Sequence, residues 1–236
     1  KVNSLSQCFE NKSKFSRNLI KKLYSSKSSK KIINAGKKAM INRINGSAKE
    51  NDINDARHFK KGMLISKKNI CKKFNWDYNK PIGIILANDL TDGVFTNSWS
   101  LFKDNVSWLN YHLEHIKNNR KVNWLVKKHP SDTKNLINKG TTYYFNKYVR
   151  DIDHIKLLPD KVNAKSLHNI VDFVFCSHGS EGLEFPFSKI PCVTTSDSLY
   201  EGLGFTFECK NLNDLKKTIF KPEKLKVISN KSYDLL

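Results

Sequence analysis

The chain has 236 residues, 39% of them hydrophobic, and a formal net charge of +20. That length holds one ordinary domain plus a smaller attachment and excludes two large ones. No apolar run reaches the roughly 18 residues that a membrane-spanning helix needs.

The charge is regional. Residues 1–79 hold 20 Lys and Arg against 5 Asp and Glu. A basic face there would suit anionic membrane lipids, anionic glycans or nucleic acid, whereas a compositional preference for Lys, Asn and Ile accounts for the same charge with no partner at all. The five cysteines, at 8, 71, 176, 192 and 209, form no CxxC pair and have no zinc-type spacing to histidine, so free thiols in a reducing compartment are expected and a metal site is not. The first residue is Lys1 rather than Met, and the expectation is a piece of a longer protein.

Residues 1–79 read as a polar, lysine-rich leader with short helical pieces at Asn18–Tyr24, Ile32–Ile44 and Ile53–Ile65. Residues 80–236 read as the main domain. Ile82–Ala87 is a short apolar run closed by Asn88-Asp89, which suits a buried parallel strand. Ser100–Asn118 carries apolar residues at helical spacing, and Val122–Val126 is a second strand ended by Lys127-Lys128-His129-Pro130. Thr133–Val149 is helical or irregular, and Ile155–Leu158 a short strand. Ala164–Ile170 is a short helix, and Val171–Cys176 the most apolar strand of the chain. Ser180–Phe187 opens a helix, Ile190–Thr194 is another strand, and Leu212–Phe220 is a helix with Asn211 or Asn213 at its cap. The alternation predicts an α/β, Rossmann-like, doubly wound parallel sheet behind a basic, mostly helical or irregular N-terminal segment.

In such sheets ligands bind beyond the carboxyl ends of the strands. Three loops there are polar: 88–96, 127–132 and 177–184. The third, Ser177-His178-Gly179-Ser180-Glu181-Gly182, follows a buried strand with two glycines, two hydroxyls and a helix start, the outline of a phosphate seat; an ordinary turn capped by Ser180 has the same composition. Lys127, Lys128 and His129 would neutralise or hydrogen-bond a diphosphate, or form a solvated basic turn. In the first loop Asp89 and Asp92 flank Thr91, and Asp92 is a candidate general base or a helix cap. The loops are neither a P-loop nor a GxGxxG fingerprint, and Gly-Ser-Glu-Gly lacks the hydrolase elbow that would make Ser180 a nucleophile with His129 or His178. Trp99, Trp108 and Trp124 are expected to pack on the sheet, and His58 and His112 to be surface or packing residues.

The ordered set Leu101-Phe102-Lys103-Asp104, Trp108-Leu109, Val122 to Ser131, Ser177 to Glu184, Ile190-Pro191-Cys192-Val193 and Tyr200 to Thr206 resembles the capsule polysaccharide biosynthesis family. That family comprises Kdo transferases and related surface-glycan glycosyltransferases of the GT-B type. The resemblance covers about residues 81–220 and implies the C-terminal, donor-binding half of such an enzyme. It implies a nucleotide-sugar pocket lined by the Lys-x-His-Pro turn (Lys127, Lys128, His129, Pro130) and by the Gly-Ser-x-Gly-x-Glu turn, with Ser177, Gly179, Ser180, Glu181 and Glu184. It further implies a closing loop shaped by Tyr200, Gly202 and Gly204. His129 would assist departure of the nucleotide, Glu184 would hold ribose or base, and Asp92 is the weaker candidate for the base.

No cofactor or metal is implied; the donor, a CMP-linked sugar among the candidates, is a substrate. The acceptor would be a glycan or glycolipid. Transfer of a polyol phosphate from a CDP-linked donor would use the same pocket. Nucleic acid is disfavoured because the lysines are not interleaved with regularly placed aromatics, although a non-catalytic basic binding module is the alternative reading. A cytoplasmic place at the inner face of the membrane is implied by the resemblance and the basic leader. A GT-B enzyme needs a second Rossmann-like domain, which residues 1–79 are too short and too polar to be. Those residues are therefore expected to be a leader or a remnant of the acceptor domain; the chain is then a truncated enzyme, one whose acceptor half another protein supplies, or a degenerate homologue, and truncation, with a piece inactive alone, is the reading expected.

Overall fold

The computed structural model describes residues 5–47, 59, 62–92, 99–132 and 140–226. Two helices come first, α1 (Leu5–Tyr24) and α2 (Ser29–Ile44), followed by α3 (Lys67–Phe74). The main alternation is then β1 (Ile82–Leu86), α4 (Asn105–Ile116), β2 (Asn123–Lys127), α5 (Thr141–Tyr148), β3 (Ile155–Leu157) and a 3-10 turn at Ala164–Asn169. It closes with β4 (Phe173–Phe175), α6 (Glu181–Phe187), β5 (Cys192–Thr194), β6 (Phe207–Glu208) and α7 (Leu212–Phe220), with a last 3-10 turn at Pro222–Lys224.

The six strands form one sheet in the order β3-β2-β1-β4-β5-β6, and every pairing is parallel. This is the order of the dinucleotide-binding fold, whose topological switch point falls between β1 and β4. The expected doubly wound parallel sheet is therefore present. Strand alternation splits the core into two layers. Ile85, Trp124, Val126, Phe173 and Phe175 pack with α4 and α7 through Trp108, Leu109, Leu113, Leu215 and Ile219. Ile82, Ile84, Leu125 and Val174 pack on the other face with Ile70, Leu167 and Phe185. Both faces are apolar, which is why these strands read as continuous hydrophobic runs.

Gly83 keeps the centre tight. A Cβ there would press into the rings of Phe173 and Trp124, which meet edge-on over the glycine with centroids 5.6 Å apart. Helix caps fix several element starts: Asp104 accepts from the Ser107 amide, and Asn211 accepts from the Asp214 amide at 2.9 Å. Of the two caps considered for the last helix, Asn211 is the one used.

Some boundaries differ from the sequence reading. Helix α1 begins at Leu5 rather than Asn18. Helix α4 starts only after Asp104, which leaves Leu101 and Phe102 in the preceding loop. Helix α3 and strand β6 were not anticipated: α3 is eight residues with four lysines, and β6 is two residues long, too short to show a period. Ile70, Cys71 and Trp76 belong to the sheet's second core layer, and Met63 bridges to Val162, so the polar stretch before Lys80 supplies core side chains. Most of the expected helix 53–65, His58, and the first part of 133–149 lie outside the described residues. Cys71, Cys176, Cys192 and Cys209 are free and buried. Among the described residues no helix is long and apolar enough to cross a membrane.

Candidate functional site at the strand ends

The carboxyl ends of β1, β2 and β4 bring the three polar loops to one edge of the sheet. After β1 the chain makes an Asx turn. The Asp89 carboxylate accepts from the Thr91 amide at 3.0 Å and its hydroxyl at 2.7 Å. Burial pushes the Asp89 carboxyl up, but the two Thr91 bonds outweigh it and leave it below the usual carboxylate range, so it is ionised. Asn105, at the start of α4 and 1% exposed, holds this loop: its amide donates to the carbonyls of Asp89 (2.9 Å) and Asp92 (3.0 Å) and accepts from Asn88 (3.3 Å). The Asp92 side chain is exposed. Residues 93–98 of this loop are outside the described set.

After β2, Lys127 and Lys128 part company. Burial pushes the Lys127 ammonium down, against the pull of Glu181, Glu184 and Asp160, and its Nζ donates to the Lys128 carbonyl at 3.4 Å. Lys128 instead points to the exposed Asp160, with Nζ–Oδ2 at 2.8 Å. Of the two lysines expected at the ligand, Lys127 stands among the site carboxylates and Lys128 is paired with Asp160. His129 Nδ1 accepts from the Ser131 amide at 3.2 Å, which leaves Nε2 to carry the proton. Burial lowers the His129 pKa, opposed by Asp89 and, more weakly, by Asp92 and Asp132. His129 is thus a neutral hydrogen-bond donor near Asp89 rather than a cation. Pro130 is exposed and ends the strand.

After β4, Ser177 is buried and its hydroxyl lies 3.0 Å from His178 Nδ1. Ser180 has helical dihedrals and makes no side-chain cap. Its hydroxyl donates to Glu184 Oε1 at 2.9 Å, so neither the capped turn nor a hydroxyl free for a ligand is found. The open backbone seat expected at Gly179 is also modified. A Cβ at 179 would strike the Glu181 carboxylate, which lies over this glycine. Glu184 is 2% exposed. Burial and Glu181 raise its pKa, offset in part by Arg43 and Ser180.

Tyr200 supports the turn from behind. It is 5% exposed, and its hydroxyl donates to the Gly179 carbonyl at 2.7 Å. Gly202 and Gly204 have φ of +75° and +81°, the left-handed region that glycine occupies without strain. They turn the chain into β6. A small opening beside the turn is lined by Leu86, Lys127, Leu167, His168, Glu181 and Phe185, among others. Among the described residues no group of three or more His, Cys, Asp or Glu is placed to hold a metal ion.

The main residue missed by the sequence reading comes from α2. Arg43 Nε lies 2.8 Å from Glu184 Oε1, and its Nη2 donates to Ser180 Oγ at 3.2 Å. No local pattern signals an ion pair spanning 141 positions. Asn105 was likewise hidden inside a helical run.

No family model and no curated protein sequence matches the chain. A solved structure does. KpsC of Thermosulfurimonas dismutans, a beta Kdo 2,4 transferase, superposes with a TM-score of 0.56 over 92% of this chain at 12% identity. The chain shares the fold of that structure. It spans 59% of the KpsC chain's length. A putative UDP-N-acetylglucosamine 2-epimerase from Listeria monocytogenes aligns more loosely, with a TM-score of 0.44 at 11% identity over 70% of this chain and 41% of its own.

Proposed function

We propose that the strand-end crevice binds a nucleotide-activated sugar, and that the chain is the donor-binding part of a glycosyltransferase acting on a capsule or other surface polysaccharide. The observation that carries this reading is the meeting of three polar turns at the switch point between β1 and β4 of a sheet in dinucleotide-fold order. Its neighbouring groups suit a phosphate ester leaving a sugar. Lys127 brings a partly desolvated cation and His129 Nε2–H a neutral donor, while Ser180, its hydroxyl bonded to Glu184, shapes the turn beside them. Charge develops on the leaving phosphate oxygens as the glycosidic bond breaks, and donors held in place before that moment stabilise it most. Asp89, ionised and turned inward by Thr91, orients the loop beside His129. The exposed Asp92 is the candidate to take the acceptor's proton, once an acceptor is placed beside the crevice.

Calorimetric titration with CMP, CDP, UDP and GDP tests this. One nucleotide should bind saturably, and His129→Ala and Ser180→Ala should each weaken it at least about tenfold. A folded chain that binds none of the four would contradict the reading and move weight to a basic polymer-binding module.

A further inference from the structure

Helices α1 and α2 lie against the same turn that the proposed donor site uses. Ile20 of α1 packs with Tyr200, Leu203 and Phe205. Arg17 Nη1 donates to the Glu201 carbonyl at 3.1 Å, and the Arg17 side chain covers Gly202. Arg43 of α2 reaches both Ser180 and Glu184. The two helices thus grip the 177–184 turn and the 200–205 loop together. They come from a stretch with no acidic residue between Asn11 and Lys49.

The local charge shows what Arg43 does there. Glu181 and Glu184 flank the turn, and Lys127 is the cation that the main domain sets against them. Without Arg43, two carboxylates would face one ammonium, and an incoming phosphate would meet net negative charge in a partly desolvated place. With Arg43 the acids are balanced. A guanidinium has five N–H donors in a fixed fork. Here Nε serves Glu184 and Nη2 serves Ser180, which leaves the fork with capacity for a phosphate at the same turn.

We propose that Arg43 is a ligand-binding residue of this site: it neutralises Glu184 and contacts the phosphate of a nucleoside mono- or diphosphate, so that the N-terminal helices are a working part of the donor pocket. This rests on the donor-site reading above. It assigns to the two helices, Leu5–Tyr24 and Ser29–Ile44, a role beyond a basic leader, and it makes the pocket composite, with one wall supplied from outside the sheet.

The test is calorimetry on the full chain with CMP, CDP, UDP and GDP, for the wild type, Arg43→Ala, Arg43→Lys, Glu184→Gln and the Arg43→Ala/Glu184→Gln pair, with melting curves to show that each is folded. Arg43→Ala should weaken the bound nucleotide by roughly tenfold or more. Arg43→Lys, which keeps the charge beside Glu184 but loses the fork and therefore guards against a folding defect, should weaken it to a lesser degree. The double variant should stay weak, because removing the carboxylate does not restore the missing phosphate contact. Recovery of wild-type affinity in the double variant would reduce Arg43 to a counter-ion and overturn the contact. Unchanged or tighter binding by Arg43→Ala, with His129→Ala still defective, would overturn this proposal and leave the donor site standing. No binding by the wild type would overturn both.

Discussion

The Tyr200 hydroxyl donates to the Gly179 carbonyl at 2.7 Å, across the turn that follows β4. The same ring fills the space that a Cβ at position 182 would need. The motif glycine and the closing-loop tyrosine therefore act as one packed unit that sets the height of the turn. Tyr200→Phe removes one of the two donors to this half-buried carbonyl and leaves it the Gly182 amide, a cost of about 1 kcal/mol. Gly182→Ala forces the ring away and should cost more, about 1–3 kcal/mol. Chemical denaturation of the two variants gives the order. A Gly182→Ala protein as stable as wild type would show that the turn is not held this way.

The two lysines of the Lys-x-His-Pro turn should separate in function. Lys127 is largely buried among Glu181, Glu184 and Asp160, whereas Lys128 makes an ion pair with the exposed Asp160. Lys127→Met should lower nucleotide affinity by about tenfold or more, as expected for loss of a desolvated charge contact. Lys128→Met should change affinity less than about threefold and stability by under about 1 kcal/mol, as for surface pairs generally. Equal losses from the two would mean that the lysines act together at the ligand.

Much of this was legible in advance, and particular residues show why. Strands such as Ile82–Leu86 and Phe173–Phe175 are buried on both faces, so their apolar runs announce a parallel sheet. The loops that matter are the ones directly after those runs, because strand ends converge by geometry. What a local reading cannot supply is the third dimension of the polar groups. Nothing near Lys128 indicates that Asp160 will draw it aside, and nothing near Glu181 indicates that its carboxylate will lie over Gly179. Arg43 sits in a basic stretch whose charge composition accounts for, and only the packing of α2 onto α6 distinguishes it.

Two histidines should make the fold acid-sensitive. His112 is fully buried; its Nδ1 donates to the Trp108 carbonyl at 2.8 Å, and its Nε2 is buried with no partner among the described residues. Burial pushes its pKa down to about 4, and burial does the same to His168, whose ring stacks on Phe185. The unfolded chain takes up these protons near pH 6.5 and the folded chain only near pH 4. Their contribution is therefore fully present above about pH 6.5 and is lost as the pH falls toward 4, by about 1.4 kcal/mol per pH unit for the fully buried His112. His112→Gln should flatten the fall in melting temperature across that window, whatever its effect at pH 7. An unchanged slope would mean that other groups carry the acid response.

Amide hydrogen exchange shows where on the chain a nucleotide sits. The chain would be compared alone and with CMP, CDP, UDP or GDP at saturating concentration. A donor site at the strand ends should add protection at 88–92, 127–132 and 177–184, at the ends of β1, β2 and β4, together with the segment around Arg43. Protection confined to the lysine-rich helices, or no change with any of the four nucleotides, would contradict a donor site at the strand ends.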